Sequence, residues 1–352
     1  MAYSGTFGNK VIDVQTFIDH GARRAGKLAE ELTSEQVLSA RESLYFLLQN
    51  LMNIGIQYWA IDKKVYGLKP DQYQYLLPPQ GNDVLNVLYR QMTRPSGSYS
   101  ASSGVASNAF DNNVETKDVQ SAPNGSITVD FGTNNPIYAG SIGILPGVSG
   151  NFNIVLETSS DNITWVTLLN IGVEAWVDNE WLWYDIDPGA SRQFYRMRET
   201  GGNTLNVREF YVGTNSREIT MARLNRDDYT NLPNKNFTAN QPYQFWFDRT
   251  IPQSTIYLWP TPSDPFIQMT VWYSRQIMDV GDLTNQLEMP TRWYEATAMM
   301  LAHRMALELP GVDMARIQYL EGQAEKYLQI AEQEERDKSP IYFAPNISVY
   351  TR

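Results

Sequence analysis

The chain has 352 residues, a formal net charge of −11, and 42% apolar and 12% aromatic residues, which is enough for two ordinary domains with real cores. It contains no cysteine, so disulfides, thiolate zinc sites and cysteine nucleophiles are excluded and any metal would have to be held by oxygen. No run approaches the roughly 18 consecutive apolar residues of a membrane span, and MAYSGTFGNKVIDV has neither a basic start nor an apolar signal core, so a soluble chain made in the cytoplasm is expected.

Residues 1–32 hold a modest amphipathic pattern in Val11, Val14, Phe17 and Ile18 that predicts an early helix. Thr33 and Gln36 stand at capping-box spacing, and Val37, Leu44, Leu51 and Tyr58 recur every seven residues, with Leu48 and Met52 widening the stripe. The spacing predicts a long helix over Ser34–Trp59. Strand-like pieces follow at Ile61–Leu68, Tyr73–Leu77 and Val84–Tyr89, parted by Lys69-Pro70-Asp71 and Pro78-Pro79, and they suggest a small sheet.

From Pro95 to Gly104, PSGSYSASSG reads as a flexible crossover into a segment without helical periodicity. Short strands are predicted at Ser126–Phe131, Ser141–Leu145, Phe152–Ser159, Trp165–Leu169, Trp181–Ile186, Gln193–Glu199 and Val207–Val212, the spacing of a β-sandwich. Between Gly97 and Gly213 thirteen acids face five bases, net −8, and no Lys or Arg lies between Lys117 and Arg192. Such a surface repels phosphate backbones, so no sequence-specific nucleic-acid binding is expected. After Gly213 the earlier character resumes, which marks an inserted domain.

Arg217–Arg223 is a further candidate strand, and Tyr243–Asp248, Thr255–Trp259 and Met269–Tyr273 resemble a meander. From Met289 to Asp337 the pattern is a helical hairpin. Pro290 sits where a helix start tolerates its missing N–H, and Tyr294, Ala298, Leu301, Met305 and Leu309 recur at helical spacing. Pro310-Gly311 breaks that helix, Asp313 can cap the next, and Ile317, Leu320, Ala324, Leu328 and Ala331 repeat the period. These stripes need a partner, and the long helix near the N-terminus is the one available, so the two ends of the chain are expected to pack together. Ser339-Pro340 ends the hairpin, and Tyr342, Phe343, Ile347, Val349 and Tyr350 give the last segment apolar area that an isolated chain gains nothing by exposing. The expected fold class is α+β: a helical core with a small antiparallel sheet, interrupted by an inserted jelly-roll-like β-sandwich. Its parts are 1–95, 96–213, 214–338, and an extended arm over 339–352.

Catalytic chemistry has little to work with. There are two histidines, His20 and His303, and the second lies in an apolar helix. Asp227-Asp228 and Glu30-Glu31 are adjacent in sequence and diverge in regular structure, and no GxxxxGK[ST] or GxGxxG occurs. An enzyme is not expected. In EAWVDNEWLWYDID, Trp181 and Trp183 fall on one face of a strand as core candidates, while Trp176 and Trp181, near Asp178-Asn179, are alternatively candidates for a glycan or protein contact.

Two resemblances cover different parts of the chain. SNAFDNNVETKD, SITVDFG, SIGILPG, NFNIVLETSSDNITWVTL and QFYRMRETGGNTLNVREFYVG resemble, in order and spacing, the galactose-binding-like or discoidin family. Asn112 stands where that family usually has glycine after Asp111, and the tryptophan usual shortly after Thr116 is absent. The resemblance implies a structural calcium at Asp111, Asn113, Thr116 and Glu209; from the residues alone, Asx turns at Asp111 and Asn113 and an arginine partner for Glu209 are the alternative. No other cofactor is implied.

The outer segments 1–95 and 214–352 resemble the head-to-tail adaptor, or connector, proteins of short-tailed phages (podoviruses). The residues concerned are SEQVLSARESLYFLLQNLMNIG, REITMARLNRDDYTNLPNK, YQFWFDR, STIYLWPTP and the MPTRWYEAT…LAHRMALEL hairpin. That resemblance implies a virion protein of the tail or neck, assembled in the host cytoplasm as a ring, most often dodecameric, between the portal protein and the tail nozzle protein. Its C-terminal arm would dock on the portal, and its ring would lie on the path of DNA ejection. The rival reading is a glycan-binding virion decoration protein acting through the inserted sandwich.

Overall fold

The computed structural model describes residues 12–54, 58–91, 95–214, 218–264 and 266–335. The chain is α+β and mostly antiparallel, and it divides into two compact units, Met1–Ile61 with Ser274–Arg352, and Asp62–Tyr273. The helices are α1 (Val14–Ala25), α2 (Ser34–Ile54), a short α3 (Arg226–Thr230), α4 (Tyr294–Glu308) and α5 (Met314–Glu335). Among the described residues no helix is long and apolar enough to cross a membrane.

The first unit is built on α1, α2, α4 and α5, so both ends of the chain contribute to one core. The Asp13 side chain caps α1 through the Thr16 N–H, and Gly26, at φ 95°, ends it in the left-handed region. Thr33 and Gln36 cap α2 reciprocally, with Gln36 N–H donating to Thr33 Oγ1 at 3.3 Å and Thr33 N–H to Gln36 Oε1 at 2.9 Å. Helix α4 is central and packs on α1, α2 and α5. Phe17, Ile18, Leu44, Leu48, Trp293 and Leu301 fill the space between, and full burial of each such side chain stabilises by about 1.5–3 kcal/mol. On its α2 side, Arg304 donates to Ser43 O at 3.0 Å and Glu308 accepts from Ser39 and Ser43 hydroxyls. At the far end of the hairpin, Arg292 and the Trp293 indole N–H both reach Glu335 on α5.

The second unit contains two β structures. Strands β1 (Ile61–Gly67), β2 (Gln74–Leu76) and β3 (Gly81–Gln91) precede the sandwich strands β4 (Ser98–Ala101), β5 (Asp118–Pro123), β6 (Ser126–Asp130), β7 (Ser141–Pro146), β8 (Gly150–Ser159), β9 (Val166–Trp176), β10 (Leu182–Asp185), β11 (Phe194–Glu199) and β12 (Thr204–Gly213). The chain then returns through β13 (Glu218–Thr220), β14 (Ala222–Leu224), β15 (Thr238–Ala239), β16 (Gln244–Asp248), β17 (Thr255–Trp259), β18 (Thr261–Pro262) and β19 (Ile267–Arg275). Sheets ordered β4-β6-β11-β8-β9 and β10-β7-β12-β5 share a core that includes Ile127, Ile144, Ile154, Met197 and Phe210. Sheets ordered β1-β19-β3-β13 and β14-β16-β17-β2 share a second core around Leu68, Val87, Phe245, Ile256 and Met269.

Several expectations change. The stretch Pro95–Gly104 is not all crossover, because Ser98–Ala101 is an edge strand paired with β6 and anchored by Tyr99 stacked on Phe110 at 4.0 Å. β5 had no sequence signal, since its inward residues are the polar Asp118 and Gln120, both buried. β9 runs to Trp176 rather than ending at Leu169, with a register shift between Ile154 and Val155 of its partner strand and Gly172 at φ 72°. The Arg217–Arg223 segment splits into β13 and β14 around buried Met221. Helix α2 ends at Ile54, and Tyr58–Ala60 forms a separate 3₁₀ turn. By contacts, the small sheets group with the sandwich rather than with the helices. The arm 339–352, with Tyr342, Phe343, Ile347, Val349 and Tyr350, lies outside the described residues.

Candidate functional site

The loop between the 3₁₀ turn Ala106–Ala109 and β5 gathers three of the four residues to which calcium was assigned. Asp111 Oδ1 accepts the Asn113 N–H at 2.9 Å and Asn113 Oδ1 accepts the Glu115 N–H at 3.1 Å, so both make Asx turns. Around the Thr116 hydroxyl stand Asp111 Oδ2 at 2.7 Å, Asn113 O at 2.8 Å and Asn108 O at 3.4 Å. Asn112 takes the left-handed φ of 61° that glycine usually supplies, which Asn tolerates better than most residues. Glu209 is fully buried on β12, which packs on the 3₁₀ turn that opens this loop. Among the described residues no three His, Cys, Asp or Glu side chains gather in a way that would hold a metal, so a cation here would depend on the hydroxyl and carbonyl oxygens as well. Hard oxygen donors in a tight loop fit Ca²⁺ chemically.

The tryptophans separate. Trp176 is 2% exposed and stacks on Phe152 at 4.3 Å inside the sandwich, so it has no face for a sugar or a partner; this corrects its assignment as a contact residue. Trp181 is half-buried. It stacks on Trp183 at 4.7 Å with 19° between planes, meets the edge of Phe266 at 6.1 Å, and sits so close to Gly67 that a Cβ there would lie 2.3 Å from its own. Gly67 is therefore the residue that admits this ring. Trp183 in turn meets Tyr211 at 5.3 Å.

Polar contacts bind the sandwich to the small sheets on the same side. Asp185 of β10 takes Lys63 at 2.9 Å and Arg90 at 3.3 Å, and Glu180 faces Lys69 at 3.8 Å. Burial draws the Asp185 carboxyl upward, but hydrogen bonding and charge from Lys63, with the charge of Arg90, hold it below its ordinary value. No sequence signal foretells this junction, because its members lie in three separate strands and two loops.

On the helical unit, the exposed large apolar side chains include groups on α2 and α5 as well as Leu28, Met278 and, on α4, Leu307. On α2, Leu38, Tyr45 and Phe46 lie opposite the buried stripe of Leu44, Leu47, Leu48 and Leu51, with Phe46 61% exposed. On α5, Tyr319 and Ile330 share an outer stripe, with Tyr319 62% exposed. The two stripes belong to helices that each pack on α4. His20 lines a small cavity of about 100 Å³ with Phe17, Tyr294 and Glu295, while His303 is half-buried on α4.

The fold and these surfaces define an α+β protein in which an antiparallel two-sheet sandwich is inserted among smaller sheets. No protein-family model matches the chain, and no curated protein matches it in sequence. Among solved structures it is similar to carbohydrate-binding modules, each over about a third of its length. The family 32 module of NanJ from Clostridium perfringens, in complex with galactose, has 20% identity over 35% of this chain and 98% of that one, at a TM-score of 0.28. The CBM62 module of Xyl5A from Clostridium thermocellum has 17% identity over 36% and 99%, at 0.30. The CBM32 module of AlyQ, in complex with 4,5-unsaturated mannuronic acid, has 15% identity over 35% and 96%, at 0.30.

Proposed function

We propose that the chain is a structural protein of a virion neck, a head-to-tail adaptor that assembles as a ring between the portal protein and the tail nozzle protein. The observation that supports this reading is the pair of uncovered apolar stripes on α2 and α5. A single contact face pairs a subunit with its twin, whereas two different faces on one subunit bind head to tail and close into a ring when the rotation allows. Aromatic and aliphatic residues at such faces are the usual centre of an interface. Twelve copies is the number the resemblance favours. The role is assembly rather than catalysis.

The arm 339–352 is assigned to the portal. Fourteen extended residues reach up to about 45 Å, enough to lie along a groove between subunits and bury Tyr342, Phe343, Ile347, Val349 and Tyr350. Ordering each residue costs about 1–2 kcal/mol, so those anchors and the avidity of a ring must supply the return. The loop at Asp111, Asn113 and Thr116, together with Glu209 on β12, is assigned to a structural Ca²⁺. The experiment is native mass measurement of the full chain with and without portal protein, alongside a chain truncated after Lys338. A ring that binds portal, and a truncated ring that does not, are expected. Equal portal binding by both would contradict the role given to the arm, and a monomeric full chain would contradict the adaptor reading.

A further inference from the structure

The sandwich has one long open edge. β9 ends the sheet ordered β4-β6-β11-β8-β9 and is paired with β8 alone, over 11 residues, about twice the usual strand length. In an antiparallel pair every second residue turns its N–H and C=O away from the partner strand. Among the described residues no backbone group of Val166–Trp176 bonds beyond β8, except that the Gly172 N–H donates to Asn170 Oδ1 at 3.1 Å. Soluble proteins usually blunt such an edge with lysine, proline or a very short strand. β9, VTLLNIGVEAW, holds no lysine and no proline, and its single charge is Glu174. Two register shifts twist it on β8 without ending the pairing. The side chains it leaves open are β-branched, with Val166 50% and Val173 71% exposed, and they suit a neighbouring strand.

The surroundings say what kind of strand fits. At its C-terminal end β9 runs into a groove of about 620 Å³ beside Trp181, lined by Ala175 and Val177 together with Lys64, Val65 and Tyr66 of β1, itself an edge strand. A segment laid along β9 brings its last side chain into this groove. The charge around the edge is negative. No Lys or Arg lies between Lys117 and Arg192, so every charged side chain from β5 to β10 is an acid. Asp161, just before β9, accepts the Thr164 and Ile163 N–H groups at 2.8 and 2.9 Å, which hold its carboxyl well below the usual carboxylate range. Arg196 and Arg198 of β11, two strands away, are both held by Glu157. Lys64 stands at the groove, so positive residues of an incoming strand belong at the Asp161 end. An acidic surface of this kind draws in a basic segment and repels an acidic one.

We infer that the free edge of β9 is a docking site for an extended, β-branched and basic segment of a partner protein, which adds a strand to the five-stranded sheet. Main-chain hydrogen bonds along β9 give the affinity, and contacts with Val166 and Val173 and the charge of Asp161 and Glu174 give the selectivity. The inference goes beyond the assembly role and does not depend on it.

The test is fluorescence anisotropy of the full chain with three labelled peptides of alternating valine and threonine: one flanked by lysines, one flanked by glutamates, and the lysine peptide with its backbone nitrogens methylated. The lysine peptide is expected to bind, the glutamate peptide about tenfold more weakly, and the methylated peptide not at all, since it has no N–H to donate. Val166→Lys and Val173→Lys alter exposed side chains, so neither should disturb folding, and each is expected to weaken the lysine peptide about tenfold by placing like charge on the edge. Equal binding of the methylated peptide, preference for the glutamate peptide, or binding undiminished in both variants would overturn the proposal. So would the absence of peptide binding from a chain whose self-association Val173→Lys abolishes, which would give the edge to a second copy.

Discussion

The Thr116 hydroxyl carries a single proton, yet three acceptor oxygens stand within 3.4 Å of it. A cation among them would satisfy all of these lone pairs together, and a ligand bound only to the folded state at 100 times its Kd stabilises by about 2.7 kcal/mol. Chelation of the full chain is therefore expected to lower the Tm by several degrees, with Asp111→Ala removing the difference. Melting curves that coincide with and without chelator would retire the site. The same loop was legible in sequence because Asp111, Asn113 and Thr116 are close neighbours, and their Asx turns are local hydrogen bonds. Trp176 was not. Asn170-Ile171-Gly172 has the composition of a turn, and the sequence hides that Gly172 at φ 72° serves a bulge within a continuing strand that delivers Trp176 to the core.

Among the elements, α2, α4 and α5 could be read directly because periodicity, caps and breakers agree: Thr33 with Gln36, Pro290, and Gly311 at φ 77°. β4 and β5 could not, since one is the short run Ser-Tyr-Ser-Ala and the other turns Asp118 and Gln120 inward. Gln120 donates to Asp118 Oδ2 at 3.2 Å, and burial raises the Asp118 carboxyl above its ordinary value despite that bond and one from Val105. β10 is fastened to the small sheets through Asp185, and this gives a pH dependence. A carboxyl whose folded value is depressed contributes stability that is present above its unfolded value and lost as pH falls through the folded one. At pH 7, Asp185→Asn is expected to be less stable than the parent by on the order of 0.5 kcal/mol, because the half-exposed pair is screened by solvent. The Tm difference should close below about pH 3, under the ordinary carboxylate range. An equal difference at pH 7 and pH 3 would show that Asp185 contributes packing rather than charge.

For the whole molecule, the joining of the chain ends into one helical core followed from apolar stripes that had no other partner, a long-range inference that needs only burial. The groove beside Trp181 had no such signature. It is assembled from residues more than a hundred positions apart, and of its lining only Trp181 stands out in the sequence as a contact candidate. The proposed head-to-tail assembly through α2 and α5 can be tested by mixing complementary variants. Phe46→Asp places a charge on the α2 stripe and Tyr319→Asp on the α5 stripe; a change of this kind at an interface centre costs about 2–4 kcal/mol. By native mass measurement the parent is expected as a closed ring, each variant alone as a monomer, and the equimolar mixture as a heterodimer joined by the one intact pair of faces. Parent-sized rings from either variant, or a mixture that stays monomeric, would contradict assembly through these two faces.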